Sequence, residues 1–285
     1  MIKKLLLITI ITVFNIACVD VIEVEVPSEK PRLVIDALIR INSSLGMIDV
    51  KIKASQSASF FDSILPVRLT EITLQNIDLS TNNSATLLPS TTEEGIYEAR
   101  VPKEFLTEGR VVLNILYNGE TYVSMTNYVP APDIDSIEQN IANVFGGEQT
   151  ELEVSFTDLP NRNDYYLFDF DFDEYLTVED EFFKNQQFVF SYFYEDRLEI
   201  GRSLKVSIAG VSFEFFDYLN QVIAQSGQTQ GPFQTPAGTV LGNIVNITDT
   251  DYSGIETLAN IIPNKNFPLG YFAICETYEK IITIE

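Results

Sequence analysis

Histidine and tryptophan are absent from this 285-residue chain, cysteine occurs twice, and 18 basic side chains face 41 acidic ones. Without histidine there is no Ser-His-Asp or Cys-His nucleophile, no imidazole general base and no His-ligated zinc. Two cysteines cannot build a thiolate cluster, and once Cys18 is modified Cys275 has no partner for an internal disulfide. In Phe272-Ala273-Ile274-Cys275 it reads as a small buried strand residue, the usual behaviour of a free cysteine. The shortage of Lys and Arg argues against nucleic acid, whose binders carry a basic footprint, and against anionic head groups. Most of the acidic excess reads as solvated surface. Long apolar runs are missing too: Leu5 to Phe14 covers about ten residues, where a membrane-spanning helix needs about 20.

That short run has the layout of an export signal. Lys3 and Lys4 precede it, Asn15 and the small residue Ala17 follow, and Cys18 comes next. A small residue before a cysteine is the bacterial lipoprotein pattern, although Asn15 stands where Leu, Val or Ile is usual. The expectation is a signal peptide over 1–17 and lipid attachment, with palmitate-type acyl chains, at Cys18; the alternative is an ordinary secretory signal cut elsewhere. Two or three chains on one residue anchor stably, whereas one is marginal. Residues 18–30, with Glu23, Glu25, Pro27 and Glu29, then form a tether. The processed chain keeps 16 basic against 41 acidic side chains, since Lys3 and Lys4 are lost.

With 45% hydrophobic and 12% aromatic residues, the chain has enough apolar material to bury a core. From Pro31 onward, short runs of Val, Ile, Leu, Phe and Tyr alternate with turn residues. Strands are expected over 32–39, 48–54, 71–76, 95–101, 110–117 and 120–127, with Asn118-Gly119 turning the last pair as a type I′ hairpin. Val129-Pro130-Ala131-Pro132 cannot lie in a central strand and marks a boundary. Beyond it, 136–140, 151–156, 188–194, 204–208 and 271–284 read as strands, and Gly146-Gly147 as a turn. Residues 213–225 read as a helix with Phe213, Phe216, Leu219 and Ile223 on one side. Lys205 and Ser207 are expected to face outward. The fold class predicted is all-β: two tandem antiparallel β-sandwich domains, Ig-like or jelly-roll-like, over 31–130 and 131–285, with one short helix in the second.

In Tyr166 to Asp173, aromatic residues alternate with acids, so one strand would carry four rings on one face and Asp169, Asp171 and Asp173 on the other. Calcium favours such oxygen ligands, which makes these three candidate ligands; no EF-hand glycine or twelfth-position glutamate accompanies them, and a solvated strand face explains them equally. Their spacing also overlaps that of glycosidase carboxyl pairs. Tyr165, Tyr166, Tyr175, Tyr192 and Tyr194 read either as core or as a stacking platform, and the loop 226–238 is long enough to be functional.

Cys18 with its acidic spacer, Pro31-Arg32-Leu33-Val34-Ile35, Gly95-Ile96-Tyr97, Gly119 to Ser124, Pro130 to Ile137, Phe215 to Tyr218, Pro232-Phe233 with Gly242-Asn243-Ile244, and Pro268 to Phe272 together resemble domain-of-unknown-function family 4249 of Bacteroidota lipoproteins. The resemblance implies an outer-membrane lipoprotein of the cell envelope, surface-exposed rather than periplasmic, associated with TonB-dependent transporters and with no catalytic residue to carry over. Asp62-Ser63-Ile64 and Asp135-Ser136-Ile137 resemble the O-glycosylation signal of these bacteria, so Ser63 and Ser136 are candidate glycosylation residues. The expected role is a non-catalytic binding or accessory module whose ligand is unknown. The alternatives are a carbohydrate-active hydrolase using Asp169, Asp171 and Asp173, and a structural envelope or adhesin component.

Overall fold

The structure is a computed structural model. It describes residues 30–59, 62–144, 147–194, 197–226, 238–250 and 266–285. The signal, Cys18, nearly all of the tether and most of the 226–238 loop lie outside the described residues.

The protein is mostly β, with a nearly closed, barrel-like sheet and a second, smaller sheet. The first strands are β1 (Leu33–Ile41), β2 (Met47–Gln56), β3 (Leu65–Pro66), β4 (Glu71–Asn76), β5 (Ser84–Thr86), β6 (Leu88–Pro89) and β7 (Ile96–Pro102). A five-residue helix, Lys103–Thr107, leads to β8 (Arg110–Tyr117) and β9 (Glu120–Val129). That helix was not expected: it is too short to display a helical period. It contributes Phe105 and Leu106 to the core. Asn118 and Gly119 have φ of 51° and 80°, as the type I′ turn requires. Alternation does the rest. Leu33, Ile35, Ala37, Ile39 and Ile41 of β1 all point inward, with Ile72, Leu74, Val111 and Leu113 in the same core.

Past Pro130 come β10 (Ile134–Val144), β11 (Gly147–Thr157), β12 (Tyr165–Asp169), β13 (Tyr175–Glu179), a 3₁₀ turn (Asp180–Phe182), β14 (Gln187–Phe193) and β15 (Ser203–Val211). The helix Phe213–Ser226, β16 (Val245–Asn246) and β17 (Leu269–Thr283) follow among the described residues. Strands β10, β11 and β14 form the small sheet. Its Leu152, Val154 and Phe156 join Tyr166, Phe168, Phe170, Leu204, Val206 and Ile208 in a second core.

Strand β17 belongs to both assemblies. Its first half pairs in parallel with β1, from Val34↔Leu269 to Ile41↔Glu276, and briefly with β9; its second half pairs antiparallel with β15. The expectation of wholly antiparallel sheets is corrected here. Residues 272–277 are buried without interruption because both faces are covered. Phe272 and Ile274 enter the first core, whereas Ala273 and Cys275 pack with Leu167, Ala209, Val211 and Phe215.

Three local expectations also change. The aromatic strand stops at Asp169: Asp171, Phe172 and Asp173 take φ of 67°, 52° and 62°. Asp169 accepts the Asp171 N–H and Asp171 accepts the Phe172 N–H, so side-chain bonds replace the ladder and turn the chain. Ser207 faces inward and accepts a hydrogen bond from Arg40 Nη1 at 3.1 Å. The long helix buries Phe215 rather than Phe213, because Phe215 rests on Tyr271 of β17, while Phe213 is exposed beside Tyr165.

Candidate functional site

The acids singled out by sequence are dispersed. Asp169 Oδ2 accepts from Arg40 Nη2 at 3.1 Å, which ties β12 to β1. Asp171 sits in the turn, with one oxygen on the Phe172 N–H and the other taking the Lys205 N–H at 3.3 Å, and Asp173 is exposed. A turn with three residues of positive φ cannot line their carboxylates along one strand face. The tyrosines are dispersed too. Tyr166 and Tyr194 are buried, and Tyr194 donates to the Phe170 carbonyl at 2.6 Å. Tyr192 stacks on Phe170 with centroids 3.9 Å apart and donates to Glu174. Tyr165 leans on Phe213 and Phe216, and Tyr175 is exposed. They are chiefly core and its rim, not one platform.

Ser63 is exposed in the connection between β2 and β3, and Ser136 is exposed on the edge strand β10 opposite Ser155. Cys275 is fully buried, and burial pushes its thiol up to about 12, against the opposing influence of Arg40. A thiol this far from ionisation is a poor nucleophile.

The concentrated acidic chemistry lies one step beyond the ends of two ladders. The last register pairs are Thr157↔Gln187 between β11 and β14 and Tyr165↔Glu179 between β12 and β13. Asp158 follows the first; Asp164 and Asp180 follow the second. Backbone bonds extend both ladders by a rung, from Asp158 N to Gln186 O and from Asp180 N to Asp164 O. All three aspartates are buried, and one carboxylate oxygen from each lies within 4.8 Å of the other two. Among the described residues no other group of three metal-ligating side chains converges in this way.

Each carboxylate is held. Asp158 accepts from Tyr166 Oη and from the Asn185 N–H; Asp180 Oδ2 accepts the Asp164 N–H at 2.9 Å. Arg162 Nε pairs with Asp164 Oδ1 at 2.5 Å, and Lys184 Nζ reaches Asp180 only at 3.9 Å while donating to Asn163 at 2.6 Å. Asp164 Oδ2 is buried and has no hydrogen-bond partner among the described residues. Burial pushes the Asp164 carboxyl up to about 6; Arg162 opposes this and the Asp158 and Asp180 charges add to it. None of the three is among the acids that the alternating pattern of residues 166–173 singles out. The available signal was that Asp158 and Asp164 bracket the loop Leu159-Pro160-Asn161-Arg162-Asn163 at the two strand ends.

The described residues define a mostly β protein with a buried acidic triad. The chain matches the family model described as Domain of unknown function (DUF4249) over residues 19–255 and belongs to that family. No curated protein matches it.

Proposed function

We propose that this protein is an outer-membrane-anchored lipoprotein, built as two tandem β-sandwich units, that works as a non-catalytic binding or accessory module beside a TonB-dependent transporter. The observation that carries this reading is Cys18 at the end of an export signal, with the family match starting at residue 19, one position beyond it. Among the described residues no helix is long and apolar enough to cross a membrane, so the acyl chains at Cys18 supply the membrane contact. The shortage of basic side chains leaves nucleic acid out, and the cell-surface side is what the family resemblance implies. Asp169 and Asp171 are engaged with Arg40 and with backbone N–H groups, which disfavours the hydrolase alternative: a general acid and base must be free to face a substrate.

Two measurements test it. Cys18→Ala is expected to leave the membrane fraction; a variant that stays there at full processed mass would place the anchor elsewhere. Affinity purification of the intact lipoprotein from its own membrane should recover a TonB-dependent transporter, and repeated recovery of none sinks the accessory role.

A further inference from the structure

We infer that Asp158, Asp164 and Asp180 together hold one divalent cation, and that the cation is calcium. Three buried carboxylates at close range repel one another and have lost hydration, an arrangement that needs compensating positive charge. The fixed cations supply part of it: Arg162 occupies one oxygen of Asp164, and Lys184 is largely committed to Asn163. A separate sign of a missing partner is Asp164 Oδ2, an oxygen with no donor among the described residues on a side chain only 1% exposed. Buried polar atoms are almost always satisfied, and an orphan calls for an ion or water.

The dimensions fit. Calcium binds oxygen at about 2.3–2.6 Å, so ligands on opposite sides of the ion stand roughly 4.6–5.2 Å apart and adjacent ones less. Oxygens within 4.8 Å of one another can therefore share one calcium with little movement. The donors are hard oxygens with no imidazole or thiolate beside them, the set that suits calcium or magnesium over zinc or copper. Calcium tolerates the irregular geometry that a triad drawn from two connections imposes, whereas magnesium demands a near-ideal octahedron. The hydrogen bonds that Asp158 and Asp180 already accept leave lone pairs free, because a carboxylate offers about four acceptor positions. This places the cation away from Asp171 and Asp173, where sequence spacing had suggested it.

The test is calorimetric titration of calcium chloride into the full chain stripped with a chelator, paired with thermal unfolding followed by circular dichroism. One saturable site and a midpoint several degrees higher in saturating calcium are expected, with a smaller shift from equal magnesium. Asp164→Asn should weaken calcium at least tenfold, and Asp171→Asn with Asp173→Asn should bind as the unmodified chain does. Absence of saturable heat in the unmodified chain overturns the inference, as does Asp164→Asn titrating unchanged or the Asp171 and Asp173 variant losing the site. If Asp164→Asn does not fold, Asp158→Asn takes its place under the same criteria.

Discussion

Replacing Phe168 and Phe172 separately by alanine distinguishes a continuous aromatic strand from one that ends at Asp169. Both rings occupy the same alternation in sequence, so a continuous strand would make the two losses equal. Phe168 is fully buried, with ring centroids of Phe190, Phe156 and Phe170 at 5.0, 5.5 and 6.0 Å. Its loss removes a full side-chain transfer and leaves a cavity, which costs about 3–5 kcal/mol. Phe172 is 39% exposed and lies beyond the strand, with the Arg202 guanidinium 3.9 Å from its centroid and Tyr194 edge-on at 6.4 Å. An exposed cation–π contact contributes about 0.5–1 kcal/mol, so with its modest apolar burial Phe172→Ala should cost about 1 kcal/mol. The expected gap is about 2–4 kcal/mol. Urea unfolding followed by circular dichroism measures it, with equal m-values required so that the midpoints report stability. Costs within about 0.5 kcal/mol of each other, well inside the gap expected from burial, would refute the assignment of Phe168 to the core and Phe172 to the turn.

Gly210 lies where β15 passes the chain leaving β9, and a Cβ there would run into the Pro130 carbonyl, so Gly210→Ala should cost about 1–3 kcal/mol in the same urea assay; a neutral result would mean that the two segments are not in contact. Hydrogen bonds from the Arg110 side chain and backbone hold the Asp78 carboxyl down to about 2. A depressed carboxyl stabilises above its unfolded value near 4 and loses that contribution as pH falls toward 2. Asp78→Asn should accordingly flatten the decline in thermal midpoint between pH 4 and 2, and an unchanged profile would count against the pair. Cys275, buried beneath the long helix, should resist a thiol reagent in the folded Cys18→Ala chain and react with one equivalent in denaturant; labelling of the folded chain at the rate of a free cysteine would contradict its burial.

Local pattern carried much of the strand framework. Strands β4 and β8 coincide with the alternating runs Glu71–Asn76 and Arg110–Tyr117, and the Asn118-Gly119 turn follows from two residues that accept positive φ. What escaped was set at long range. Nothing near Leu269 announces that β17 will insert between β9 and β1 some 150 to 230 residues earlier in the chain, a placement governed by topology. Ser207 looked like an outward residue because alternation marks a face without saying which face will meet Arg40. The turn at 171–173 kept an ideal strand period, and the competition that ended the strand came from the acids themselves, through bonds to their own backbone.

The buried triad is informative for the reason that exposed acids are not. In a chain with 41 carboxylates, those in solvent are stabilised by water and need no partner. Burial reverses that argument, because each buried carboxylate must recover its lost hydration from something nearby. Asp158, Asp164 and Asp180 do so only in part through Tyr166, Asn185, Arg162 and backbone N–H groups, and among the described residues one oxygen finds no donor. They also lie where the ladders end, so whatever binds them joins the β11–β12 connection, the β13–β14 connection and, through Tyr166, the second core. A cation there would order the connections at the ends of these strands while leaving the faces of the sheets unchanged. That is a structural role, compatible with a non-catalytic module and independent of whether Cys18 carries lipid.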